Sequence, residues 1–368
     1  MIRRTFLCAF SLASAGLVDL LAQTPEPTAG PTTTPGAAAA SAAAVNRKTW
    51  PVGVTKVEIP CSDGAKQLAM WYAPKKSGKR PLLVALHTWS SHYASAGGDA
   101  VYADWCLAQD WAFVHPDFRG PNATPDSMGS DRAVKDVVEA LAWAKKQASV
   151  DESRIYLIGV SGGGHMALQM AAREPQLWTA VSAWCGISDI GQWHADHTKG
   201  GKPDRYAQNI EAALGGSPAM DGPAKEEAWK RSPLSHLGQA SIVPLDIHAG
   251  VRDGRAGSVP FLHSLKAFNA VVGTGKDALD PDKMEEYYKT QEVPSGWQEA
   301  GEDLSYGAWK PLFRRTAGKT RVTIFDGGHE IVHQAALNWL AQQERGKPVV
   351  WDLKDFIKLD VVGGESGK

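Results

Sequence analysis

A chain of 368 residues, 43% hydrophobic and with a formal net charge of -1, carries enough apolar material for one large or two ordinary globular domains. It has no basic run and no zinc-ligand spacing, which argues against a nucleic-acid partner. Once a leader is removed, the cysteines are Cys61, Cys106 and Cys185. That odd number excludes a dense disulfide framework; one bridge stays open, and buried inert thiols fit better.

Residues 1–22 read as an export leader. Arg3 and Arg4 give a positive start, 6–21 is mostly apolar despite Asp19, and Leu20-Leu21-Ala22 offers a cleavage site. Arg3-Arg4-Thr5-Phe6-Leu7 also resembles a twin-arginine signal, although adjacent arginines occur in ordinary leaders too. The expectation is a secreted or periplasmic protein. Residues 23–45, rich in Pro, Thr, Ala and Gly, read as a flexible spacer. No later stretch is long and apolar enough to suggest stable membrane insertion.

From residue 46 onward strand and helix signals alternate, the pattern of a mostly parallel sheet covered on both faces. Strands are expected at 52–59, 67–73 and 81–86, the last running into His87-Thr88-Trp89-Ser90. A helix at 96–109 precedes a strand at 111–114. The segment 131–147 places Val134, Val137, Val138, Leu141 and Ala144 on one helical face. Next come a strand at 154–158, a helix at 165–173, strands at 179–184 and 243–248, and a helix at 259–270. A strand at 320–325 and a helix at 329–343 complete the series. Two stretches interrupt it: 186–235, with Trp193, Tyr206 and Trp229, and 273–319, with Tyr287, Tyr288, Trp297, Tyr306 and Trp309. Long excursions at strand ends build sites more often than cores, so both are expected to form a cap.

Gly159-Val160-Ser161-Gly162-Gly163 lies between the strand at 154–158 and the helix at 165–173. That is G-x-S-x-G in a strand–turn–helix context. A serine hydroxyl is a weak nucleophile and must be lifted out of the core beside a base. The flanking glycines make room for the sharp turn, and the helix N-terminus offers N–H groups to a developing oxyanion. Two later loops supply partners: Gly250-Val251-Arg252-Asp253-Gly254 and Asp326-Gly327-Gly328-His329-Glu330. Both follow strands on the same sheet edge. The order Ser161, Asp253, His329 is the one expected of an α/β-hydrolase. Asp253 would orient the imidazole, and His329 would take the serine proton and then deliver it to the leaving group. Asp246 is a poorer rival to Asp253 because it lies within its strand. Asp326 would order the histidine loop, and Glu330 would cap the helix after it. For the oxyanion, one N–H is expected from Gly162 and the other from Thr88 or Trp89, with His87 bracing that loop.

These motifs, together with Phe118-Arg119-Gly120 and Gly164-His165, resemble the catalytic domain of prolyl oligopeptidase-like serine hydrolases, over about residues 50–343. That group also holds acyl-sugar, acetyl-xylan and feruloyl-type esterases. The resemblance implies an α/β-hydrolase with a Ser161, Asp253 and His329 triad, no cofactor and no metal. It also shows departures. The family's oxyanion loop usually reads His-Gly-Gly or His-Gly-Tyr, against His87-Thr88-Trp89 here. The peptidases of the family carry a large propeller, for which the residues before the first strand leave no room. No acidic pair is placed to hold a peptide amino terminus. The interval from Asp253 to His329 is long for the family, and 273–319 fills it.

The chain has 14 tryptophans. Trp89, Trp184 and Trp193 fall near the active edge, where indole faces could stack on sugar rings; the alternative is that they pack the core and cap. Arg119, Asn122 and Arg255 could bind a carboxylate or sugar hydroxyls, although Arg119 reads slightly better as a loop brace. His165, one helical turn after Ser161, could reach the pocket but reads more readily as a structural histidine. The expectation is hydrolysis of carboxylic esters, with acyl or methyl esters of plant-type carbohydrates as substrates. A peptidase of the same family and a non-catalytic carbohydrate-binding protein are the alternatives. The oligomeric state is left open.

Overall fold

The structure, a computed structural model, describes residues 49–359. The leader at 1–22 and the spacer at 23–45 lie outside the described residues. In chain order the strands are β1 (Thr55–Pro60), β2 (Lys66–Tyr72), β3 (Arg80–Leu86), β4 (Ala112–Pro116), β5 (Val150–Val160) and β6 (Ala180–Trp184), then β7 (Thr198–Lys199) and β8 (Lys202–Pro203), and finally β9 (Leu245–Gly250), β10 (Pro311–Ala317) and β11 (Thr320–Phe325). Nine of them form one sheet in the order β1-β2-β4-β3-β5-β6-β9-β11-β10, while β7 and β8 pair by themselves. From β4 through β11 neighbours run parallel; β1, β2 and β10 join antiparallel at the edges.

The strand period separates two cores. Leu82, Val84 and Leu86 of β3 face one cluster, and Leu83 and Ala85 face the other. β5 does the same with Ile155 and Leu157 against Tyr156 and Ile158. Both faces are apolar because helices cover both. Helices α1 (Ala100–Gln109), α2 (Asp131–Gln147) and α3 (Gly162–Arg173) follow the early strands. α2 turns its apolar stripe inward from an N-cap at Ser130, whose hydroxyl accepts the Ala133 N–H at 3.1 Å. Each fully buried Leu or Val contributes about 1.5–3 kcal/mol.

The excursion at 186–235 folds as α4 (Ile190–Asp196), the β7–β8 hairpin, α5 (Arg205–Leu214) and α6 (Pro223–Lys230). It has its own small core of Ile187, Ile190, Trp193, Ile210, Ala213 and Ala228, which packs on Trp89 and Val259. The excursion at 273–319 behaves differently from the expected cap. After α7 (Leu262–Val272), α8 (Pro281–Thr290) buries Met284 and Tyr287 in the main core. Its last part is the edge strand β10, and Trp297 stacks on Phe313 with centroids 4.6 Å apart. Packing of these aromatics draws the segment into the sheet edge. The final helix, α9, spans His333–Ala341 and starts later than the expected 329, because 329–332 stay in the loop.

Candidate active site

β3 and β5 are neighbours, and the chain leaves them in opposite directions, from β3 to β4 and from β5 to β6. Such a reversal opens a crevice at the carboxyl ends of the strands. Thr88 and Trp89 follow β3 at this point, and Ser161 follows β5. Ser161 sits at φ 59° and ψ -120°, a strained conformation for a residue with a Cβ, costing about 1–3 kcal/mol. It is held there by its N–H on the Trp184 carbonyl at 2.9 Å and by its own carbonyl, which accepts the His165 N–H at 2.8 Å. Only 7% of Ser161 is exposed.

Asp253 and His329 come together as expected. His329 Nδ1–H donates to Asp253 Oδ2 at 2.7 Å, across the gap between the β9 and β11 loops. The other carboxylate oxygen, Oδ1, accepts the N–H groups of Gly254 at 2.9 Å and Val259 at 3.1 Å. Asp253 is fully buried, so this set of donors is what lets a carboxylate stay there. With its proton on Nδ1, the imidazole keeps Nε2 as an acceptor. Arg252 pairs with Asp326 and ties the two loops to each other. Glu330 does not cap α9; its Oε1 accepts the Gly328 N–H at 2.8 Å and shapes the histidine loop instead.

Cys185 connects the surroundings of Ser161 with those of His329. Cys185 follows Trp184, the residue that holds the Ser161 N–H, and its Sγ lies within 4.8 Å of both the Asp253 and the His329 ligand atoms. Among the described residues no hydrogen bond joins the Ser161 hydroxyl to His329. Nε2 faces the Ser258 hydroxyl at 3.3 Å. Nucleophile–base contacts are often long before substrate arrives.

A Cβ on Gly162 would strike the Trp89 amide nitrogen. The first turn of α3 therefore packs Gly162 directly against the Trp89 backbone of the loop after β3. The Trp89 carbonyl is drawn the other way by Asn122, through its N–H at 2.9 Å and its side-chain amide at 3.3 Å. The Thr88 carbonyl faces His87 Nδ1 at 2.9 Å. His87 also stacks on Phe118, centroids 4.0 Å apart. This ordering favours Trp89 over Thr88 as the second donor.

The expected substrate contacts fare less well. Trp89, Trp184 and Trp193 are 2%, 0% and 0% exposed, so none presents a face to a sugar. Trp184 stacks on His248 at 3.8 Å, and Trp193 stands edge-on to Trp89 at 4.6 Å. The apolar area of each ring packs more favourably inside than in a wet cleft. Arg119 is the brace: it binds Asp136 and Asp63, each at 2.8 Å. Asn122 is buried and secures the Trp89 loop, its Oδ1 accepting the Met128 N–H at 2.8 Å. His165 is buried with Nδ1 on the Ile187 carbonyl at 2.9 Å, and burial pushes its pKa down to about 4. Arg255 alone of this group lines an open cavity, of about 430 Å³, shared with His197, Lys199, Ser258, Glu285 and Tyr288. Asp246, the rival acid, is committed to a buried pair with Arg321.

Among the described residues two clusters have metal-ligand chemistry: Cys185, Asp253 and His329, and Cys61, Asp136 and Glu139. In the first, Asp253 and His329 hold each other and burial pushes the Cys185 thiol well up, so it keeps its proton. In the second, burial pushes Cys61 up to about 11, and Asp136 is held by Arg119. Cys61, Cys106 and Cys185 are free and buried. Among the described residues no helix is long and apolar enough to cross a membrane.

Residues 106–285 match the prolyl oligopeptidase family. Dipeptidyl aminopeptidase BIII of Pseudoxanthomonas mexicana is 24% identical over 201 residues, 52% of this chain and 28% of that protein. Acetylxylan esterase A of Emericella nidulans is 24% identical over 168 residues, 39% of this chain and 54% of that one. The matches thus span from about a quarter to about half of these relatives' lengths. The solved structure of a puromycin hydrolase superposes with a TM-score of 0.52 at 14% identity, covering 78% of this chain and 37% of that chain, a likeness of fold. With its doubly covered parallel sheet and the match of residues 106–285, the chain carries a prolyl oligopeptidase-family segment on an α/β-hydrolase fold.

Proposed function

We propose that the protein is an exported hydrolase that cleaves carboxylic esters through an acyl-enzyme. The observation that carries this reading is the Asp253–His329 hydrogen bond of 2.7 Å, together with the strained strand–helix turn at Ser161. Ser161 attacks the acyl carbonyl while His329 Nε2 takes its proton, and the amides of Gly162 and Trp89 stabilise the oxyanion. The imidazolium then protonates the leaving alcohol. Water, deprotonated by the same nitrogen, releases the acid. Acyl esters of plant-type carbohydrates are the proposed substrates. The acetylxylan esterase relative supports them, and it is matched over a larger share of its length than the aminopeptidase. The buried tryptophans lend this substrate class no support, so it rests on the relative and on the leader-like segment 1–22.

Peptide cleavage is the second reading, favoured by the dipeptidyl aminopeptidase relative. A panel of nitrophenyl acetate, acetylated xylan and aminoacyl nitroanilides separates the two. Ester turnover is expected to dominate, and a faster nitroanilide rate reverses the assignment. Ser161→Ala is expected to lower turnover by about 10⁴-fold or more and to abolish labelling by a fluorophosphonate. Labelling that survives the substitution would remove Ser161 from the mechanism. A secreted or periplasmic chain beginning near residue 23 is the expected product of export, checked by N-terminal sequencing.

A further inference from the structure

Among the described residues, Ser258 is the one bonded both to the His329 ring and to the first excursion. It lies in the loop between Asp253 and α7, and that loop is wound round the carboxylate: the N–H of the next residue, Val259, donates to Asp253 Oδ1 at 3.1 Å. A Cβ on the preceding Gly257 would come within 2.6 Å of His329 Cβ, so the loop runs in direct contact with the histidine. The Ser258 hydroxyl then faces His329 Nε2 at 3.3 Å.

The carbonyl of Ser258 points to the excursion. It accepts the Trp193 indole N–H at 2.7 Å and a ring N–H of His197, from Nε2, at 2.8 Å. The other ring nitrogen of His197 is fixed on Asp204 Oδ2 at 2.7 Å, and Asp204 caps α5 through the N–H groups of Tyr206 and Ala207. Two carboxylate–imidazole pairs, Asp253–His329 and Asp204–His197, therefore meet at a single residue. One pair belongs to the sheet edge and the other to the excursion.

We propose that Ser258 is a positioning residue for the base: its hydroxyl steadies the Nε2 edge of His329, and its carbonyl transmits the seating of the 186–235 excursion to that ring. A hydroxyl suits the place because it donates to the neutral imidazole and accepts from the charged one. The hydroxyl thus holds the ring before Ser161 engages Nε2, gives way while Nε2 takes the Ser161 proton, and can accept from the ring afterwards. The contact at Nε2 adds to the one at Nδ1 in fixing the plane of the ring. This inference rests on His329 being the base, a reading that the Ser161→Ala labelling experiment tests independently.

The test compares Ser258→Ala, Ser258→Cys and Ser258→Thr on a nitrophenyl ester, with thermal melting as a control for folding. Ala and Cys are expected to lower kcat about 3- to 10-fold with KM within about twofold, because a neutral hydrogen bond to the ring is lost. Fluorophosphonate labelling is expected to slow in proportion, and Thr, which keeps the hydroxyl, to restore most of the rate. His197→Ala is expected to lower kcat in the parent and to add nothing in the Ser258→Ala background, since its effect passes through that hydroxyl. If Ser258→Ala does not fold, the near-isosteric Cys variant carries the comparison. An unchanged kcat in a folded Ala or Cys variant overturns the proposal. So does a raised kcat, which would make the hydroxyl a competitor of Ser161, and so does a fully additive His197 effect.

Discussion

At the scale of single residues, the site depends on how closely backbones approach. Gly162 has no room for a side chain because the Trp89 amide occupies that space. Gly162→Ala is therefore expected to displace one oxyanion donor and lower kcat by about 10²-fold or more, with KM less affected. Steady-state kinetics on a nitrophenyl ester checks this, and wild-type turnover would show that the amides are not donors. The need for glycines around Ser161 is legible in the motif itself. The identity of the residue they approach is not, because Trp89 is remote in sequence and meets Gly162 only across β3 and β5. Ser258 escapes sequence reading for a related reason: a serine in a polar loop carries no periodicity and no motif, and its value lies in what faces it.

Among elements, the strands carry more than packing. Asp246 on β9 sits in register with Arg321 on β11, and the two make a buried pair with N···O contacts of 2.9 and 2.5 Å. Asp246 also lies 3.1 Å from His248 Nε2, while the Tyr306 hydroxyl meets His248 Nδ1 at 2.7 Å. Burial works against the charged carboxylate, but Arg321 and then His248 hold it well below its ordinary value. Asp246→Asn leaves Arg321 buried without its counter-charge and is expected to cost about 3–5 kcal/mol in urea unfolding. A loss below about 1 kcal/mol would mean that water reaches the arginine. The excursion's attachment separates in the same way into packing and polar parts. Trp193→Ala is expected to cost about 3–5 kcal/mol, and Trp193→Phe, which keeps a ring but loses the bond to the Ser258 carbonyl, about 1 kcal/mol. Equal losses would place the stabilisation in the N–H rather than the ring.

For the whole molecule, buried histidines give stability a pH dependence that no single element shows. His165 is buried, and its pKa falls to about 4 through burial, from an ordinary value of 6.5. The unfolded chain therefore takes up a proton near 6.5 while the folded chain does not. Stability is present above the unfolded value and is lost as pH falls from 6.5 toward 4. Replacing His165 with Gln is expected to remove about 2–3 kcal/mol of that dependence, read as a shallower fall in unfolding free energy between pH 7 and 4.5. An unchanged slope would place the titration at other groups.

The linear sequence determined the alternation of strands and helices, the turn at Ser161 and the chain order of serine, acid and histidine, because apolar periodicity and turn chemistry are local properties. Only the tertiary structure decided that three tryptophans near the active edge are core, that Arg119 and Asn122 brace a loop, that 273–319 supplies a sheet edge, and that Ser258 faces the base. Burial and hydrogen-bond partners belong to pairs of residues distant in the chain, and only the packing of the sheet brings those pairs together.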